Sequence, residues 1–331
     1  MRRSQLILVH GSLVLTAMLW GGNFSAIKEL LKTLEPLDVV FLRAFGALSF
    51  FITYLVLSRR PFIPIAKQDL IRLVLIGFIG ITMMNLAATF GQELLPAALA
   101  SLIVTSNPVF TVLIAAALGQ ETITSRTVIG VAVAFVGFLV VLLYGTGSTA
   151  SFGGSHFRGV ALMLIAPLSW AVYTVLSKPL LSKYPPFHVA AYTAIFGTLS
   201  FMSIQFLHEG TISRIVRLDR RGWVAAVFAA FLAYALAYFL WNRGLQALSP
   251  SQTAIYIYLV PVFGVLSAWL VLGEDITPWL VLGGATILTG VAITNMSRRR
   301  RRPLSVIPER AVEHTIDGER LPVPASAAER V

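Results

Sequence analysis

The chain has 331 residues, of which 56% are hydrophobic and 12% charged, with a mean hydropathy of +0.79 and a formal net charge of +11. Soluble domains carry about 25% charged residues, so this composition excludes an ordinary water-soluble domain. Cysteine is absent, which excludes disulfides and thiolate metal sites.

A spanning helix needs about 20 apolar residues to cross a hydrocarbon core of about 30 Å, and only helices or closed barrels satisfy their backbone there. The apolar runs are continuous and rich in Leu, Val, Ile and Ala, without the alternation of a barrel strand, so they predict helices. In chain order they are residues 7–27, 37–57, 70–92, 96–117, 124–145, 158–180, 187–208, 221–245, 250–271 and 277–296. Arg2 and Arg3 precede the first run as they would in a secretion signal. The run continues into Trp20 and Asn23 without a small-residue cleavage site, which predicts an uncleaved first span.

The chain also repeats itself. WGGNFSAIK from Trp20 to Lys28 returns as WAVYTVLSK from Trp170 to Lys178, and Pro36 with Leu37 returns as Pro186 with Phe187, a shift of 150 residues. Farther along, Pro108 matches Pro261, Glu121 matches Glu274, Gly130 matches Gly283 and Gly137 matches Gly290, each at a shift of 153. The organisation read from this is a first five-helix repeat at 1–147, a Gly/Ser-rich linker at 148–157, a second five-helix repeat at 158–297, and a basic stop anchor with a polar tail at 298–331. The tail has no apolar periodicity and reads as disordered and cytoplasmic. An odd number of spans per repeat makes the second copy enter the membrane from the opposite side. The expected fold is an all-α integral membrane protein with ten transmembrane helices in two inverted repeats, the architecture of alternating-access transporters.

Fifteen basic residues, from Arg2 and Arg3 to the run Arg298–Arg302, fall on one side of this arrangement and seven on the other, which places both termini in the cytoplasm. Residues 209–221 put four arginines on the outer side and leave a count of nine or eleven spans open. The charge sits at span ends, where it anchors helices against headgroups, so the partner it indicates is a lipid bilayer and not nucleic acid.

Pro108 and Pro261 sit in mid-span and lack an N–H, which frees the carbonyls of Val104 and Ile257. A freed carbonyl at that depth faces either a wet cavity or a satisfying Ser or Thr, and the cavity reading predicts that spans four and nine line the path. Asn107 adds an amide at the same depth. Trp20 and Asn23 lie in the outer third of span one and their equivalents Trp170 and Tyr173 in the inner third of span six, a symmetry that suits a pair of gates. Asn85, Gln92, Tyr238, Trp241, Asn242, Tyr256 and Tyr258 complete the candidate substrate contacts. The rings can alternatively belong to an interfacial belt. Arg43 is about 9 Å of helix rise into span two and either snorkels outward or faces the cavity. No carboxylate lies at a span centre, so a proton relay is not visible. A central cluster of Lys and Arg is missing as well, which counts against phosphorylated sugars. Gly130 and Gly137, with Gly283 and Gly290, lie seven apart on one face and predict close helix approach, compatible with a monomer or a homodimer.

PLDVVFLRAFGAL from Pro36, the small-residue start of span four with Pro108 at its middle, LGQE ending at Glu121, the glycine span that follows, and the second copy LVPVFGVLSAWLVLGEDITPWLVLGGATILTGV from Leu259 together resemble the EamA-type branch of the drug/metabolite transporter superfamily. The resemblance covers residues 10–296. It implies ten helices in two inverted repeats and export or exchange of small metabolites across a cytoplasmic membrane, with members reported for amino acids, nucleotide-linked sugars and xenobiotics. The expected function is therefore a secondary exporter of a small metabolite, such as an amino acid, or of a drug. A non-transporting regulatory subunit or receptor on the same fold is the alternative. No phosphate loop, HExxH motif or metal-spaced His cluster occurs, so no cofactor is expected. An intramembrane enzyme would need a nucleophile, a metal or paired acids within the bilayer, and the sequence supplies none.

Overall fold

The computed structural model describes residues 3–57, 63–119, 124–144, 154–205 and 208–296. Arg2, Arg59, Arg60, Glu121, residues 148–153 of the linker, the run Arg298–Arg302 and the rest of the tail lie outside the described residues. All regular structure among the described residues is helical. Ten rods are present: α1 (Arg3–Leu30), α2 (Pro36–Leu57), α3 (Lys67–Leu94), α4 (Ala97–Ala117), α5 (Ser125–Tyr144), α6 (Gly154–Leu181), α7 (Pro186–Gln205), α8 (Arg220–Ala247), α9 (Pro250–Leu272) and α10 (Pro278–Met296). A short helix, Thr211–Val216, lies between α7 and α8. Among the described residues seven helices, in α1, α2, α3, α4, α6, α8 and α9, are long and apolar enough to cross a membrane, and Val128–Val141 and Pro278–Gly290 are shorter apolar helices. The end of the expected linker, residues 154–157, is the first turn of α6.

Local chemistry sets the helix ends. Pro36, Pro186, Pro250 and Pro278 open α2, α7, α9 and α10, where a missing N–H costs nothing and φ is already helical. Asp219 caps α8 by accepting from Gly222 N at 2.7 Å. Ser249 and Gln252 form a reciprocal capping box on α9. Glu274 reaches from the second half to the first, its carboxylate accepting from Ala97 N at 2.8 Å and Ala98 N at 3.0 Å at the start of α4. Both α4 and α9 give way to a left-handed glycine, Gly119 at φ 68° and Gly273 at φ 70°.

The repeat extends to the irregular turns. α3 contains a π-helical stretch at Phe78–Met83 and α8 one at Phe228–Leu236; the first, moved by 153, falls inside the second. 3₁₀ turns at Val104–Ser106 and Ile255–Leu259 precede Pro108 and Pro261. These turns correct the expectation of carbonyls left free by proline. The helix tightens, so that Asn107 N–H bonds the Val104 carbonyl and Val260 N–H bonds that of Ile257.

α5 packs along α10 through the glycines. A Cβ on Gly137 would stand 2.6 Å from Ile287 N and 2.7 Å from the Gly283 carbonyl, a separation only glycine permits. At the start of α2, fully buried Asp38 accepts from Arg214 Nε at 2.6 Å, Arg214 Nη2 at 3.0 Å and Thr211 Oγ1 at 2.6 Å. The same bond to Asp38 pushes the Arg214 guanidinium above its ordinary pKa. One of the four arginines that blurred the topology of 209–221 is therefore the partner of a buried acid.

Candidate functional site

A cavity of about 90 Å³ lies where the two halves meet. It is lined by Trp20, Asn23, Phe24 and Ile27 of α1, Arg43 of α2, Met84, Asn85, Ala88 and Gln92 of α3, and Val104 and Asn107 of α4. The second half adds Met163, Ala166, Pro167 and Trp170 of α6, Tyr238 of α8, and Ile257 and Val260 of α9. One water needs roughly 10–15 Å³, so the space holds about six to nine waters or a small solute of similar size.

Aromatic rings cluster in its wall. Trp20 and Trp170 meet edge-on with centroids 5.1 Å apart at 87°. Tyr173 stacks on Trp170 at 4.6 Å and 9°, Tyr238 meets Trp170 at 4.8 Å, and Trp241 lies 5.1 Å from Trp20. The expected pair of gates at opposite ends is thus a single cluster, because α1 and α6 bring their equivalent tryptophans together. The π turn of α8 helps to fix it. Ala237 N–H bonds the Leu232 carbonyl instead of that of Ala233, and Trp20 Nε1 donates to the Ala233 carbonyl at 3.0 Å.

The polar lining is uneven. Arg43 is 4% exposed and forms no hydrogen bond or ion pair with a described residue; its guanidinium lies 5.7 Å from the centroid of the Tyr234 ring. Asn85 Nδ2 donates to the Ile81 carbonyl at 2.7 Å and Gln92 Nε2 to the Ala88 carbonyl at 3.2 Å. The Gln92 Oε1 atom is buried without a partner among the described residues, as is Asn23 Oδ1. Asn107 is spent differently, donating to the Pro167 carbonyl at 2.7 Å and accepting from Thr111 at 3.3 Å. It ties α4 to α6.

Tyr173, Trp241 and Asn242 stand behind the lining, with Asn242 Nδ2 donating to the Tyr173 hydroxyl at 2.7 Å. Tyr256 is hydrogen-bonded to His10, and Tyr258 is buried in the 3₁₀ turn of α9; neither lines the cavity. Pro108 and Pro261 shape the turns beside it without lining it. Pro167, absent from the expected set, was open to discovery as an internal proline in α6. Met163, Ala166, Ile27 and Val260 are apolar residues among many, and nothing in the sequence marks them.

The two ends of the cavity are secured unequally. Lys178 Nζ donates to the carbonyls of Leu245, Gln246 and Leu248 at 2.6, 3.2 and 2.7 Å, holding the end of α8. Its equivalent, Lys28, donates one long hydrogen bond of 3.4 Å to the carbonyl of Glu93, the residue equivalent to Gln246, and is attracted by the Glu274 and Glu93 carboxylates. Ile27 and Gln92, the neighbours of this looser pair, line the cavity, so the space extends toward the Lys28 end. The aromatic cluster lies on the Lys178 side.

Residues 8–143 and 157–296 each match the EamA-like transporter family. A probable amino-acid metabolite efflux pump of Salmonella typhimurium is 29% identical, over 88% of this chain and 96% of that one. A probable terminal-alkyne amino-acid exporter of Streptantibioticus cattleyicolor is 28% identical over 90% and 97%, and an uncharacterized transporter of Archaeoglobus fulgidus 27% identical over 86% and 98%. A crystal structure of 19% identity superposes with a TM-score of 0.64, covering 86% of this chain and 97% of its own, which shows a shared fold. With both halves matched, the chain belongs to the EamA-like transporter family of multi-pass membrane proteins, within the drug/metabolite transporter superfamily.

Proposed function

We propose that the protein is a secondary exporter of a small amino-acid-type metabolite, working by alternating access across the inner membrane with both termini in the cytoplasm. The observation that carries this reading is a largely apolar cavity between the two halves that holds Asn23, Arg43, Asn85 and Gln92 in its wall beside the Trp20–Trp170 aromatic cluster. Two relatives named for amino-acid efflux or export support the direction and the solute class. Ten spans in two inverted repeats fit the helix lengths. α5 and α7 have 20 residues and α10 has 19, each about 30 Å long at 1.5 Å per residue.

In this reading the side that is closed now opens when the Trp20–Trp170 cluster parts and the Lys178 contacts break, while the Lys28 end closes. The volume favours amino acids over nucleotide-linked sugars, which are several times larger. The test is accumulation of labelled amino acids by everted membrane vesicles containing the protein, with Trp170→Ala as control. Uptake above empty vesicles that is lost in the variant is expected. Uptake no greater than in empty vesicles for every amino acid, with the protein shown to be folded and inserted, would sink the reading.

A further inference from the structure

We propose that Arg43 is the carboxylate anchor of the transported solute, and that the buried amide oxygens of Asn23 and Gln92 receive the solute's ammonium group. The inference rests on the transport reading and adds the solute's charge pattern and orientation to it.

A buried ion is expensive unless it is paired. Arg43 lies at the cavity wall at 4% exposure, and no carboxylate among the described residues pairs with it. The Tyr234 ring beside it gives a cation–π contact, which leaves the in-plane N–H donors of the guanidinium available. Those donors form a planar fork that matches a carboxylate. One guanidinium balances one carboxylate and falls short of a phosphate dianion, and the cavity of about 90 Å³ suits a small solute.

The amides supply the opposite polarity. Gln92 uses its NH₂ group on the helix backbone, which turns its carbonyl oxygen away from that bond. Asn23 Oδ1 is likewise buried and unpaired. Both residues line the same cavity as Arg43. A dry apolar pocket has no use for orphaned acceptors or an unpaired cation, whereas a zwitterion satisfies both sets together. A simple cation would meet Arg43 with like charge.

The test is binding to the purified full-length protein in detergent, read by its tryptophan fluorescence, using L-amino acids, their methyl esters and their decarboxylated amines. Amino acids should bind, and esters and amines should bind about 10- to 100-fold more weakly, the range expected for a charge-assisted hydrogen bond. Arg43→Met should abolish that discrimination, and Arg43→Lys should restore part of it. Thermal unfolding separates this from a structural role. Removing an unpaired buried charge should leave the melting temperature unchanged or raise it, whereas a structural arginine would lower it. Equal binding of acid, ester and amine, unchanged affinity in Arg43→Met, or no carboxylate-dependent signal at millimolar concentration would overturn the proposal. Carboxylate-selective binding without vesicle transport would instead sink the transport reading and leave the Arg43 assignment standing.

Discussion

Trp20 and Trp170 are 150 residues apart in sequence, occupy the same position in the two repeats, and meet edge-on at 5.1 Å. Their rings are equivalent but their bonds are not. Trp20 Nε1 donates to the Ala233 carbonyl at 3.0 Å, and Trp170 Nε1 is buried without a partner among the described residues. The broken symmetry lies at the closed side of the cavity, where an opening motion has to separate rings without stranding backbone groups.

This difference yields a paired comparison. Trp20→Phe keeps most of the ring contact and removes the bond to the Ala233 carbonyl, so it should cost about 1 kcal/mol more than Trp170→Phe, the net worth of an ordinary hydrogen bond. Unfolding midpoints in the same detergent check the difference. Equal losses in the two variants would mean that the bond to Ala233 contributes nothing.

The contacts of Lys178 should hold the closed side shut. Lys178→Met removes donors from three carbonyls, whereas Lys28→Met removes one long hydrogen bond and the attraction to Glu274 and Glu93. Hydrogen bonds from charged groups contribute about 1.5–3 kcal/mol, so the first change should raise opening at least about tenfold. The chain lacks cysteine, which gives a clean background for maleimide labelling of Leu245→Cys, a fully buried position at that end. Labelling that accelerates equally in both lysine variants would contradict the assignment of the closed side.

Much of this fold was legible because hydrophobic length and duplication are coarse signals that survive any packing detail. The runs beginning near Pro36, Pro186 and Pro250 are helices that start there, as fixed φ and a dispensable N–H dictate. The glycine spacing from Gly130 to Gly137 predicted close approach of α5 and α10 for the same kind of reason. The site was less legible. Asn23, Asn85, Gln92, Tyr238 and Arg43 line the cavity, but equally polar or aromatic Asn242 and Tyr256 face protein partners. A span's composition does not encode the rotation of its helix. The π stretches in α3 and α8 reorient the residues that follow them, and no residue type announces such a turn.

Pro108 and Asn107 should respond in opposite ways. Pro108→Ala restores an N–H that can bond the Val104 carbonyl, so the 3₁₀ turn can relax to regular helix without loss of stability. Val104 lines the cavity, and the relaxed turn should lower transport. Asn107→Ala removes the donor to the buried Pro167 carbonyl, which should cost about 1–3 kcal/mol and loosen α4 from α6. Melting temperature and vesicle uptake measured together distinguish them. A Pro108 variant that transports normally would show that the 3₁₀ turn does not shape the solute path.

α5 and α10 contribute no residue to the cavity lining, yet their mutual approach is close enough that Gly137 admits no side chain. Gly137→Val must push the helices apart or force the Ile287 backbone to move. Overpacking of this kind typically costs about 1–3 kcal/mol, and a clash with backbone has less room to relax than one with a flexible side chain. The melting temperature should therefore fall. Solute affinity in the folded fraction should hold, because Trp20, Arg43 and Trp170 sit on helices other than this pair. Loss of affinity at intact stability would reverse the assignment and place α5 and α10 among the moving helices.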